Sequence, residues 1–209
     1  MRAVRGWQRA GVAVLAAIWL GCGGVAALAQ GSSRSAAELM DAVMWNREKI
    51  GGAFELVDQA GRPRNERDFR GQLLLVYFGF TFCPDICPTD LQAIGLAMDQ
   101  LGARAAQVQP LFVTLDPERD TADHLAQYVP MFHPKLIGLT GSPAAVHEAA
   151  EAYRVYYKRV EFENKTDYTV DHSAFIYLMD RDGKYLGFFP PGTSAEQIVG
   201  MIRPHLTNP

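Results

Sequence analysis

From Gly52 onward the chain switches repeatedly between two hydrophobic periods. Leu73-Leu74-Leu75-Val76-Tyr77-Phe78 is apolar without a break, which predicts a strand buried on both faces. Residues 108–115 predict the next strand, closed by Asp116-Pro117. Residues 54–57, followed by Asp58-Gln59-Ala60-Gly61, predict a strand and a turn, and 136–139 a short strand. Between these runs, apolar positions recur at helical spacing over 88–101, 121–131 and 143–152. Strand patterns return at 155–160, 174–179 and 185–189, which predicts a meander whose last turn is Arg181-Asp182-Gly183. Ser194 with Gln197 makes a capping box and predicts a final helix to about residue 203.

Strands alternating with helices, then a terminal hairpin and helix, predict an α/β sandwich built on a mixed sheet. A thioredoxin-like arrangement is its simplest form. In that arrangement the segment after strand 73–78 lies at the carboxyl edge of the sheet, where ligands bind in open α/β folds.

The first 29 residues follow a different pattern. Arg2, Arg5 and Arg9 precede an uncharged run over 10–29, the layout of an export segment. Ala27-Leu28-Ala29 has the small-x-small form of a cleavage site before Gln30. The run is nevertheless long enough to span a bilayer, and its length favours a retained anchor over a cleaved, soluble product. Either outcome delivers the domain outside the cytoplasm, on the periplasmic side, with 10–29 as the tether to the inner membrane where it is kept. The expected division is export segment or signal-anchor over 1–29, linker over 30–50, and a single domain over 51–206. Within the linker, Ser35 and Glu38 cap a short amphipathic helix marked by Ala36, Leu39, Met40, Val43 and Met44.

Composition adds two exclusions. At 209 residues and 48% hydrophobic content, the chain has material for one substantial core and resembles neither a disordered nor a fibrous protein. Its net charge of −3 includes the three leader arginines, so the remainder holds 17 basic against 23 acidic residues. That balance argues against nucleic acid as a partner.

The chemistry concentrates in Thr81-Phe82-Cys83-Pro84-Asp85-Ile86-Cys87-Pro88. Of three cysteines, Cys22 lies in the apolar leader, which leaves Cys83 and Cys87 as the pair of the exported domain. A structural disulfide is the plain reading in an oxidising compartment. Yet a bridge closing so short a loop removes little chain entropy, so a chemical role is the better account. Pro88 suits the first turn of a helix, which sets Cys87 near the N-cap and Cys83 in the preceding loop. Asp90 then falls where it complements the helix dipole, and at least one thiol is expected to ionise easily. Two thiolates so close together either oxidise or share a cation. Of five histidines, His124, His147 and His205 read as solvated and His133 as a helix terminus. His172, in Asp171-His172-Ser173, precedes an apolar strand from which a loop could face the cysteines, although a lone histidine is more often structural.

These segments resemble the Sco/SenC copper-binding family. The resemblance rests on Gly51-Gly52-Ala53-Phe54, Asp68-Phe69-Arg70-Gly71, Tyr77-Phe78-Gly79-Phe80-Thr81, the cysteine segment itself, Asp116-Pro117-Glu118-Arg119-Asp120-Thr121, Leu139-Thr140-Gly141-Ser142, Tyr153-Arg154-Val155-Tyr156-Tyr157 and Asp171-His172-Ser173. It spans roughly residues 50–205. It implies a membrane-tethered thioredoxin-like domain that holds copper, Cu(I) or Cu(II), through Cys83, Cys87 and His172. It also implies a part in assembling the binuclear copper centre of cytochrome c oxidase. The implied partners are the apo copper-bearing oxidase subunit, a thioredoxin-like reductant and other copper chaperones. One departure is visible: many members carry histidine directly before the first cysteine, where this chain has Phe82.

The ligand set suits copper, since two thiolates and an imidazole are soft donors in low number, whereas zinc takes four ligands in structural sites. A copper metallochaperone without turnover is therefore one expectation. A thiol–disulfide oxidoreductase using Cys83 as attacking group is the alternative, although the cysteine spacing is one residue longer than in thioredoxin-type motifs. A peroxiredoxin-like peroxidase shares the fold but lacks support in the residues around the cysteines.

Overall fold

The computed structural model describes residues 49–162 and 167–207. The export segment and the helix expected over 36–44 lie outside the described residues. Nine strands are described: β1 (Glu55–Asp58), β2 (Pro63–Asn65), β3 (Leu73–Gly79), β4 (Val108–Thr114), β5 (Ile137–Thr140), β6 (Tyr157–Glu161), β7 (Tyr168–His172), β8 (Ile176–Met179) and β9 (Tyr185–Phe189). The α-helices are α1 (Ile86–Leu101), α2 (Ala122–Tyr128), α3 (Pro143–Ala152) and α4 (Ala195–Ile202).

Seven strands form one mixed sheet in the order β2-β1-β5-β4-β3-β8-β9. Strands β3, β4 and β5 run parallel, and β8 lies antiparallel against the other side of β3. Every residue of β3 and β4 is buried. Because successive side chains point to opposite faces, both faces of the sheet are covered there, which makes the layered sandwich expected from uninterrupted apolar runs. This is the thioredoxin-like mixed sheet, with α1 against α4, α2 against β5 and α3 against β1.

Two expectations need correction. The run over 155–160 does not continue the sheet as a meander: β6 pairs only with β7, as a separate two-stranded ribbon. Its residues are mostly exposed or half-buried, so no alternation of buried positions could tie it to the main sheet. The second correction concerns the hairpin partner of β1. The short strand β2 contains Pro63, Arg64 and Asn65, and nothing apolar marks it. Buried Asp58 organises the turn between them, accepting from the backbone N–H groups of Ala60 and Arg62 and from both arginine side chains, Arg62 and Arg64.

Helix α1 carries the cysteine chemistry and is seated by a close backbone approach. A Cβ on Gly95 would lie 2.4 Å from the carbonyl oxygen of Phe132, so only glycine lets the helix reach this depth. Alanine ordinarily stabilises a helix interior over glycine by about 1 kcal/mol. At Gly95 the clash outweighs that gain, and Gly95→Ala is expected to destabilise the domain by about 1–3 kcal/mol in urea unfolding. A neutral or stabilising result would mean that α1 does not sit where it is described.

Candidate metal centre

The strand registers determine which loops meet. Gly79 pairs with Thr114 at the carboxyl ends of parallel β3 and β4, and the Leu115 N–H continues the ladder to the Gly79 carbonyl. Antiparallel β8 starts opposite Tyr77, so the segment entering β8 reaches the same edge. Three loops converge there: the cysteine loop after β3, residues 115–121 after β4, and the segment after His172.

The cysteine loop folds onto the start of α1. The helix begins two residues earlier than Pro88 alone indicated, with Asp85 at the N-cap and Cys87 as its second residue. Asp85 makes no side-chain cap. Instead the Cys87 N–H donates to the Cys83 sulfur at 3.5 Å, so the thiol group of Cys83 serves one of the open donors of the first turn. Pro88, lacking an N–H, costs nothing at this place.

Both cysteines are free, Cys83 half-buried and Cys87 fully buried. Their acidities diverge. The Cys87 thiol donates to Cys83, and together with the N–H groups of Asp85 and Cys87 and the nearby His172 it brings Cys83 down to about 5, against the opposing effect of burial. The same interaction, read from the other side, pushes Cys87 up, and burial adds to it. The expected easily ionised thiol is therefore Cys83, and the helix terminus is only part of the cause. His172 closes the site from the ribbon: its Nε2 lies 3.3 Å from the Cys87 sulfur. Its ring packs edge-on against Phe80 at 5.8 Å, and burial holds the imidazole below its usual range, in the neutral form a metal ligand needs. Asp171 is exposed and pairs across the ribbon with Lys158, so it does not orient His172.

The three side chains are linked in series, Cys83 to Cys87 to His172. Among the described residues no group of three Cys, His, Asp or Glu side chains forms a closed cluster poised around a metal ion. A thiolate and an imidazole bound trigonally at about 2.3 and 2.0 Å would stand roughly 3.7 Å apart. The observed Cys87–His172 separation thus has to open by only a few tenths of an ångström for these two donors to share a soft cation.

Sequence reasoning missed the supports of the site. Buried Asp120 accepts from the Thr81 N–H at 3.0 Å, from the Thr81 hydroxyl at 2.5 Å and from the Thr114 hydroxyl at 2.6 Å, clasping the cysteine loop to the β4 loop. Asp116 accepts from the Tyr168 hydroxyl at 2.7 Å and pairs with Arg119, which itself donates to the Tyr168 carbonyl at 3.1 Å. These contacts fix the ribbon that ends in His172. Two acids and an arginine directly after a buried strand were the available signal. His124, expected in solvent, is half-buried, with its Nε2 2.9 Å from the Thr81 hydroxyl. Asp90, expected in the first turn beside the helix dipole, lies beyond it because the helix starts at Ile86, and it is fully buried, accepting from the Gly192 N–H at 2.9 Å and pushed up by burial. Its Oδ2 and the Tyr77 hydroxyl have no hydrogen bond of ordinary length among the described residues, although burial, then Cys87 and Asp90, raise the phenol.

A thioredoxin-like sheet with two free thiols and an imidazole at its carboxyl edge defines a protein of thiol redox or soft-metal chemistry. The family is narrower. The family model described as SCO1/SenC matches residues 43–207, and the chain belongs to that family. The mitochondrial SCO2 homolog of Bos taurus is 48% identical over 157 residues, covering 74% of this chain and 59% of its own length. The chain thus spans about three fifths of that relative. Bradyrhizobium japonicum ScoI, solved with copper bound, is 40% identical with a TM-score of 0.70, over 75% of this chain and 99% of that one. Yeast Sco1, also solved with copper bound, is 38% identical with a TM-score of 0.70, over 76% and 88% of the two chains.

The asymmetry of the thiols has a direct readout. The alkylation rate of Cys83 by iodoacetamide should rise as pH climbs through about 5 and then level off, while Cys87 stays unreactive at neutral pH. A single inflection at the free-thiol value of ~8.5 or above would contradict the described hydrogen bonding.

Proposed function

We propose that this protein is a copper metallochaperone, which takes copper on Cys83, Cys87 and His172 and delivers it for assembly of the binuclear copper centre of cytochrome c oxidase. The observation that carries the reading is the 3.3 Å approach of His172 Nε2 to the Cys87 sulfur, beside a Cys83 thiol that ionises readily. A neutral imidazole and two sulfurs are soft donors that suit Cu(I), and the imidazole keeps Cu(II) acceptable. Three ligands leave a position open for the receiving protein. Loading needs loss of the Cys87 proton, and the buried sulfur keeps that proton until a cation replaces it. Copper-bound members of the family at 38–40% identity support the choice of metal.

The recipient in this reading is the apo copper-bearing subunit of the oxidase, with other copper chaperones upstream. The domain works on the periplasmic side, tethered to the inner membrane by residues 10–29. Among the described residues no helix is long and apolar enough to cross a membrane.

A second reading draws on the unequal thiols. Half-buried Cys83 is ionised and able to attack, while Cys87 waits as a protonated thiol behind it. The Cys83 thiolate would attack a partner disulfide and form a mixed disulfide, releasing one partner thiolate. Cys87, on losing its proton, would attack the Cys83 sulfur and release the second partner thiolate. Two electrons pass to the partner, and the Cys83–Cys87 pair is left oxidised until a thioredoxin-like reductant restores it. The two roles are compatible, because only the reduced pair holds copper.

Replacing His172 tests the first reading. His172→Ala should lose stoichiometric Cu(II) binding and its thiolate charge-transfer bands in optical titration, while Cys83 and Cys87 remain titratable with a thiol reagent. Full retention of copper by the variant would overturn the ligand set.

A further inference from the structure

Large apolar side chains remain exposed at several places among the described residues, but Phe82 alone belongs to the cysteine loop. It is 53% exposed and immediately precedes Cys83. A single exposed apolar side chain is ordinary by itself; what sets Phe82 apart is how its ring is held.

The ring is not free to swing. The imidazole of His124 stacks on it at 5.5 Å between centroids and 11° between planes. The Arg119 guanidinium carbon lies 4.6 Å from the ring centroid. Each brace is itself held. His124 Nε2 meets the Thr81 hydroxyl, which donates to buried Asp120. Arg119 is fixed by Asp116, by the Tyr168 carbonyl and by stacking over the Tyr168 ring at 3.7 Å. Phe82 is thus mounted on the same scaffold that holds the cysteine loop and the His172 ribbon. A side chain already ordered before contact loses little entropy on binding, and rigid aromatics at the centre of a contact carry most of its energy.

Its position selects the occupant. Cys87 is fully buried, so an atom receiving the ion reaches the pair on the side of half-buried Cys83, which exposed Phe82 directly precedes in the chain. We propose that Phe82 is the docking anchor for the copper-receiving protein, a folded partner with an apolar patch beside its own thiolate or imidazole ligands. This rests on the chaperone reading and adds to it how the partner is held during transfer. Phe82 touches no ligand atom in this assignment, so the anchor acts on the encounter and not on copper affinity.

The test loads the full chain with Cu(I) and follows transfer to two acceptors. One is the soluble copper-receiving domain of the oxidase subunit. The other is bathocuproine disulfonate, a small chelator that needs no docking surface. Phe82→Ala should slow transfer to the protein by roughly tenfold or more while leaving the rate to the chelator within about twofold of the wild type. Phe82→Tyr, which keeps the ring, should transfer to the protein near the wild-type rate. Unchanged transfer by Phe82→Ala to the protein would overturn the anchor, and so would equal slowing to both acceptors, which would make Phe82 a support of the site itself. If the wild type surrenders copper to the chelator but passes none to the protein, the chaperone reading falls, and the anchor with it.

Discussion

The parallel pairing of β3 with β4 is the constraint on which the site depends. In register from Leu73 with Val108 to Gly79 with Thr114, the two strands end together, and their following loops must leave the sheet side by side. Buried Asp120 turns that adjacency into a rigid joint by accepting three hydrogen bonds from Thr81 and Thr114. Such a carboxyl is expensive to bury alone, and it is tolerated because every donor in reach converges on it. Gly79 completes the arrangement at the strand end, where a Cβ would come 2.9 Å from the Cys87 sulfur. The cysteine loop is therefore positioned by the sheet and by the β4 loop before any ion arrives.

His172 reaches the site by a different route, through a ribbon that lies outside the main sheet. Its placement depends on Asp116, Arg119 and Tyr168 rather than on strand pairing with the core. The thiols stand at the sheet edge and the imidazole on a ribbon, and residues 115–121 together with the Phe80–His172 ring contact hold the two in place. The two sulfurs differ in kind: half-buried Cys83 is drawn toward the thiolate, and fully buried Cys87 keeps its proton in the interior. Both readings of the function draw on this asymmetry.

Much of this was legible in the sequence, and the reasons are physical. The uninterrupted run at 73–78 had to be a doubly buried strand, 108–115 read as the next strand, and the helical spacing of apolar positions over 143–152 marked the helix found at Pro143–Ala152. The cysteine pair stood out by spacing and by its place before a helix. Strand β6 was legible near 155–160 but its partner was not, and β2 and β7 left little trace, because edges and ribbons bury few side chains and their pairing is carried by backbone groups. Position alone could not single out His172, which lies 85 residues from Cys87 in the chain, and only family resemblance pointed to it. Asp90, Asp120 and His124 were misjudged or passed over for one common reason: a polar residue on a helix or loop looks solvated until its partner from a distant segment is known.

Copper K-edge X-ray absorption on the Cu(I)-loaded full chain identifies the ligands. One copper per chain is expected, with two sulfur scatterers and one imidazole nitrogen at ordinary bonding distances. A shell of sulfur without nitrogen, or failure of the reduced protein to retain copper, would contradict this ligand set and leave Cys83 and Cys87 as a redox pair.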